Sequence, residues 1–115
     1  MGSNFNSLAA HRLSVELAND VYRRVATWPP LAQNTMGMQL IRSADSVGAN
    51  IAEAFGRWSA ADKRRILMIA RGELQETEHW IDRARERDLI KEDLSGQVAE
   101  IARALNGLIK TPVPR

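Results

Sequence analysis

There is no cysteine in this chain, so disulfides and thiolate metal sites are excluded. The seven glycines are scattered, and no phosphate-cradling Gly-rich loop exists. The four prolines fall at two places, Pro29-Pro30 and Pro112 with Pro114, which leaves long stretches free to stay helical. No run approaches the roughly 18 apolar residues of a spanning helix, so no membrane contact is expected. Residues Met1 to Asn6 lack a charged region followed by an apolar stretch, so no secretory signal is expected. Asn6 also breaks the myristoylation pattern. Cytoplasm is the expected compartment. Histidine is limited to His11 and His79, and no serine lies in an elbow motif, so nucleophilic catalysis is not indicated. Net charge is scarce as well. Sixteen Lys+Arg stand against 14 Asp+Glu, a balance of +2. The pI near 9.5 therefore reflects the titration gap between carboxylates and guanidinium groups more than a basic surplus.

What is abundant favours helix: Ala, Leu, Arg and Glu, with 44% hydrophobic residues over 115 positions. One domain, residues 1–115, is expected at this length. The stretch from Leu40 to Trp58 organises it. Leu40, Ala44, Val47, Ile51, Ala54 and Trp58 step by 4, 3, 4, 3, 4, a seam down one side of a helix. Ile41, Gly48 and Phe55 run beside it. Four helices are predicted, at about 7–27, 33–58, 60–87 and 92–110. Asn6 or Ser7 caps the first, and Trp28-Pro29-Pro30 stops it. Ser59-Ala-Ala-Asp62 caps the third in the manner of a capping box, with Asp in place of Glu. Leu67, Ala70, Leu74, Thr77, Ile81 and Ala84 repeat the seam there. Leu94, Val98, Ile101, Leu105 and Leu108 supply it in the fourth helix, which Thr111 to Pro114 end. The fold class is all-α, an antiparallel up-down-up-down four-helix bundle with the second and third helices as its central pair.

Folding the chain about residue 60 sets Gly48 level with Gly72, which predicts a close approach of the two central helices there. Asn50, Glu53 and Arg71 sit on helix flanks near the expected core. They read as a small polar site or, better, as a polar clasp between helices or subunits. Glu76-Thr-Glu-His79 has the Glu-x-x-His spacing of di-iron bundles, but the motif occurs once and that site needs it twice. No metal and no cofactor are expected. Arginine makes up 13 of the 16 basic residues. The densest basic run is Lys63-Arg64-Arg65, with Arg57 and Arg71 nearby, and it reads either as a solvated face with ion pairs or as a phosphate grip. No aromatic platform interleaves with these residues, and Trp28, Trp58 and Trp80 read as packing or interface residues. Beside the seams, Ile41, Phe55, Ile66 and Ile69 form an apolar surplus that one small bundle does not obviously bury, which predicts a homo-oligomer.

Three motifs carry a resemblance. Ser46 to Arg57 reads Ser-Val-Gly-Ala-Asn-Ile-Ala-Glu-Ala-Phe-Gly-Arg, followed by Ile69-Ala-Arg-Gly72 and Leu105-Asn-Gly-Leu-Ile-Lys110. In this order, over nearly the whole chain, they resemble the bacterial four-helix-bundle family encoded by intervening sequences in 23S ribosomal RNA genes. The accessory variability proteins of diversity-generating retroelements resemble the same family. Gly48 stands where the family commonly has Pro, which should soften a kink in the second helix, and Ala54 where Gly is usual. The resemblance implies a ring of five bundles and no enzymatic activity. For some members it also implies a nucleic-acid or reverse-transcriptase partner. The expected function is then a non-enzymatic oligomer that binds structured RNA or DNA through a basic surface of the ring, formed by Arg57, Lys63, Arg64, Arg65 and Arg71. The competing expectation is a protein–protein scaffold or accessory subunit that touches no nucleic acid.

Overall fold

The computed structural model describes residues 2–110, with side chains from Ser7 onward. All the regular structure among these residues is helical. α1 spans Gly2–Val25. It has already begun at Gly2, so Ser7 lies inside it and does not cap it; the Asn6 side chain lies outside the described residues. Arg23 and Arg24 occupy its last turn, where cations suit the negative end of the helix dipole. Its final carbonyls are satisfied from the next helix: Gln33 Nε2 donates to Val25 O and Ala26 O, both at 3.1 Å.

The second rod, α2, covers residues 30–54 in three parts. A turn of α-helix, Pro30–Ala32, leads into a π-helical segment, Gln33–Gly37, and then into Met38–Ala54. The rod starts earlier than the sequence predicts because Pro30 takes the first helical position. Its missing N–H is no loss there, since that donor has no intrahelical acceptor. It also ends earlier. After Ala54 the chain tightens through Gly56 N to Glu53 O (3.0 Å) and Arg57 N to Ala54 O (3.2 Å). Trp58, the last step of the predicted seam, therefore falls beyond the helix and stays 76% exposed.

α3 is Ala60–Glu86, and Ser59 Oγ accepts from Asp62 N at 3.0 Å, as its capping sequence predicts. At its far end Asp88 takes φ 60°, the left-handed conformation that short polar side chains tolerate best after glycine. Leu89 N then reaches Ala84 O (2.9 Å) and Asp88 N reaches Arg85 O (3.1 Å), a Schellman closure. α4 is Ser95–Lys110. It starts three residues later than predicted, because Asp93 Oδ1 accepts from Ser95 N (2.9 Å) and Leu94 O takes the first helical bond, from Val98 N. Thr111 to Pro114, predicted to end it, lie outside the described residues.

The four rods pack as a ring of neighbours: α1 on α2, α2 on α3, α3 on α4, and α4 back on α1, with the α2–α3 contact the most extensive. The seams meet at the centre. Leu40, Val47 and Ile51 from α2, Leu67, Leu74 and Ile81 from α3, and Ile101 and Leu105 from α4 are all buried. One polar pair shares the α2–α3 interior. Thr77 Oγ1 donates to Ser43 Oγ at 3.0 Å, and Ser43 Oγ lies 3.1 Å from Leu40 O, so both buried hydroxyls are satisfied.

The paired-glycine expectation does not hold. A Cβ placed on Gly48 would meet Val15 Cγ2 at 3.4 Å, with His11 and Ser14 next, all on α1. A Cβ on Gly72 would meet nothing within 4 Å. Gly48 admits α1, while Gly72 looks outward. A tighter contact, between α2 and α1, occurs at Gly37, where a Cβ would lie 2.7 Å from Val25 Cγ1 and 3.0 Å from Ala32 O of its own rod. Earlier in the rod, at Gln33–Gly37, the π-helical segment replaces i→i+4 bonds by an i→i+5 pattern, which widens and underwinds the chain.

Candidate nucleic-acid interface

The α2–α3 turn gathers most of the predicted basic residues at one pole of a body 46 Å long. Arg57 donates to Glu53 one helical turn back. That hydrogen bond, helped by the nearby charges of Glu53 and Asp62, raises its pKa further. Arg65 Nη2 donates to Asp62 Oδ1 at 3.2 Å. Arg64 reaches across to α4, where its Nε donates to Ile109 O, in the last turn described, at 3.1 Å. Arg64 and Arg65 are exposed, and Arg57 is half-buried.

Lys63 does not join them. It is 3% exposed, with its Nζ 5.9 Å from the centre of the Phe55 ring. The reason is its register. Residues 63, 67, 70, 74, 77, 81 and 84 step by 4 and 3, so Lys63 is the first position of the inward seam of α3. Its aliphatic stem packs inward while the ammonium faces an aromatic ring. The period was visible in the sequence; the basic run masked it. Arg71 is also separate from the turn. It is half-buried and donates from Nη1 to Asn106 Oδ1 at 3.1 Å, which ties α3 to α4.

Within one chain the predicted clasp of Asn50, Glu53 and Arg71 does not assemble. Asn50 Nδ2 donates to Ser46 O of its own helix (2.8 Å), Glu53 accepts from Arg57, and Arg71 binds Asn106. The clasp that exists was missed. Arg42 of α2 reaches both Glu73 (3.4 Å) and Glu76 (2.6 Å) of α3. Trp80 Nε1 donates to the same Glu76 carboxylate at 3.1 Å, and the His79 ring stands edge-on to Trp80 with centres 4.7 Å apart. Glu76 is therefore committed to Arg42 and Trp80, and among the described residues no group of three or more His, Asp or Glu is placed to hold a metal. Asn50 and Glu53 bond one turn away along their own segment, to Ser46 O and Arg57, while His79 stands against Trp80 on α3.

The Arg42 hydrogen bond, then that from Trp80, holds the Glu76 carboxyl below its ordinary pKa. With the folded value below the unfolded one, the pair stabilises the fold above the ordinary carboxylate range. That contribution is lost as pH falls through the folded value. Arg42→Ala should thus be less stable than wild type at neutral pH, with the gap narrowing below about pH 4. Thermal melts between pH 7 and pH 3 measure this; a gap undiminished at the acid end contradicts it.

The opposite pole is latched. Trp28, 5% exposed, donates from Nε1 to Leu89 O (3.1 Å), and Arg24 binds both Asp20 and Glu92. These bonds join the α1–α2 connection to the α3–α4 loop. Between α1 and α2 an apolar groove of about 200 Å³ is lined by Ser7, Leu8, His11, Ile51, Ala52 and Phe55. Several large apolar side chains remain in water: Leu8, Tyr22, Leu31 and Met38 on α1 and α2, and Met68 and Ile69 on α3. Of the predicted surplus, Ile66 is buried, Ile41 and Phe55 are half-buried, and Ile69 is 45% exposed. Among the described residues no helix is long and apolar enough to cross a membrane.

The family model of the 23S rRNA-intervening sequence protein matches residues 6–110. Among solved structures, the chain is similar to a protein of unknown function from the S23 ribosomal protein family of Bacteroides thetaiotaomicron, whose crystal structure was determined at 1.70 Å. The two share 30% identity and a TM-score of 0.79, over 92% of this chain and 99% of that one. No curated protein matches the chain.

Proposed function

The chain belongs to the 23S rRNA-intervening sequence protein family, and from that premise we propose that it is a non-enzymatic, cytoplasmic bundle protein that assembles with its own copies and holds structured RNA or DNA by phosphate contacts. The observation that carries this reading is the arginine set of the α2–α3 turn, Arg57, Arg64 and Arg65. The carboxylate partners of Arg57 and Arg65 do not lock them. Exposed ion pairs three or four residues apart contribute only about 0.3–0.5 kcal/mol, and each guanidinium has five N–H donors to offer. A phosphate accepts two of them at once and competes well. Lys63 and Arg71, turned to other tasks, drop out of the site.

Assembly supplies what one chain with a net charge of +2 lacks. Cyclic symmetry repeats each arginine set around an axis and builds a continuous band. Leu8, Tyr22, Leu31 and Met38, all more than half exposed, are the apolar surface from which such an assembly is made. The resemblance described above suggests a ring of five. The test is a titration of labelled structured RNA and duplex DNA against wild type and Arg64→Glu/Arg65→Glu at two salt concentrations, with light scattering to follow the oligomer. Wild type should bind as an oligomer and weaken steeply as salt rises. An intact oligomeric variant that binds as well as wild type places the site elsewhere.

The same exposed apolar side chains favour the second reading, a scaffold or accessory subunit that recognises another protein. Membership of the retroelement branch would make that partner a reverse transcriptase. A reverse-transcriptase gene and a variable repeat beside this gene would select that branch.

A further inference from the structure

Trp58 shares the turn with the arginines and is 76% exposed. Its register would have placed it in the bundle seam, but α2 stops at Ala54 and the indole is left outside. The other two tryptophans are less exposed. Trp28 is buried, and Trp80 is half-buried against Glu76 and His79. Trp58 follows Phe55, at the edge of the apolar groove between α1 and α2, by three residues in the chain. Its chain neighbours are Arg57 on one side and the α3 cap on the other, and Arg64 and Arg65 follow within two helical turns. Asp62 links the set, bonded to Arg65 and close enough to Arg57 to raise its pKa. An anchor for another protein chain would be expected within an apolar surround. An exposed aromatic plane next to Arg57 in the chain, at the turn that also carries Arg64 and Arg65, has the chemistry of a nucleic-acid contact: a π face for a base and charges for the flanking phosphates.

We propose that Trp58 is a stacking platform for an unpaired base, and that the α2–α3 turn binds single-stranded segments of RNA or DNA, such as loops and ends. This rests on the phosphate-binding role proposed above and adds the class of ligand. Bases within a duplex are already stacked on one another and offer no face to an indole, so the platform discriminates strand state. Selectivity among sequences is weak, because every base has a π face.

The test uses full-length protein with a labelled oligouridylate of twelve nucleotides and a duplex of twelve base pairs. Four proteins are compared: wild type, Trp58→Ala, Trp58→Phe and Arg64→Glu/Arg65→Glu. Trp58→Ala should lose about tenfold or more in single-strand affinity while duplex affinity stays within about twofold, and Trp58→Phe should keep most of the single-strand binding. The double charge reversal should weaken both ligands. Single-strand affinity unchanged in Trp58→Ala overturns the stacking proposal, and if the charge reversal still weakens binding, the phosphate role survives alone. No binding of either ligand by wild type overturns both. A drop in oligomeric mass for Trp58→Ala, read by light scattering, makes the indole a protein contact and also overturns the proposal. Because the side chain stands in water, helix content by circular dichroism should match in all four proteins.

Discussion

Truncating Leu67 to Ala is expected to lower the stability of the bundle by about 2–5 kcal/mol. Leu67 is fully buried on the inward seam of α3, within the hydrophobic core. The truncation removes three carbons from a site that rigid helices surround. The loss therefore combines the transfer free energy of those carbons with the cavity they leave. Ile69, two residues on, is the internal control. It is 45% exposed, and Ile69→Ala should cost less than about 1 kcal/mol. Urea denaturation at several protein concentrations makes the comparison, since assembly would make stability concentration-dependent. Equal costs at the two positions would show that the outer face of α3 is buried in the assembled protein.

Gly37→Ala should destabilise by about 1–3 kcal/mol, and Gly72→Ala should stabilise by about 0.5–1 kcal/mol. The chemistry of the change is the same, and the surroundings decide its sign. At Gly37 the new methyl would stand 2.7 Å from Val25 Cγ1 and 3.0 Å from Ala32 O. Val25 is buried and β-branched, so it has few rotamers to retreat into, and Ala32 O belongs to the backbone. At Gly72 nothing lies within 4 Å, and alanine only gains helix propensity. Thermal melts of the two single variants check the signs. Adding Val25→Ala to Gly37→Ala should cost less than the two changes summed, because the smaller residue gives back part of the space. Strict additivity would mean that the backbone oxygen, and not the valine, sets the penalty.

These two glycines show where the sequence was legible. The 3-4 seams are legible in α3 from Leu67 onward and throughout α4, since Leu67, Ala70, Leu74, Thr77, Ile81 and Ala84 and then Leu94, Val98, Ile101, Leu105 and Leu108 are all buried. Helix periodicity is a local property, so it survives reading one residue at a time. Which face of a helix meets which neighbour is not local. Folding the chain at residue 60 sets Gly48 against Gly72 of α3, whereas Gly48 serves the α1 contact. The π-helical segment at Gln33–Gly37 carries no compositional mark, and a proline pair ahead of it looked like a stop when one of the two begins a helix. At the turn the difficulty was different. Lys63-Arg64-Arg65 reads as one basic run, yet the helix turns successive residues by about 100°, so the first faces inward and the next two do not. Arg42 was invisible as a clasp because its partners Glu73 and Glu76 lie more than thirty residues away in the chain.

The burial of Lys63 has a practical consequence for chemical labelling. The sequence has three lysines and no cysteine. With Lys63 folded inward over Phe55, the side-chain amines open to a reagent are those of Lys91 and Lys110. They flank α4, a helix of sixteen residues, and so sit roughly 24 Å apart along its axis. Lys110 follows Ile109, whose carbonyl accepts from Arg64, while Lys91 belongs to the latched pole beside Glu92. An amine-reactive dye therefore reports from two opposite ends of the molecule. Replacing Lys110 with Arg would confine the side-chain label to Lys91 and leave the charge of the arginine pole unchanged.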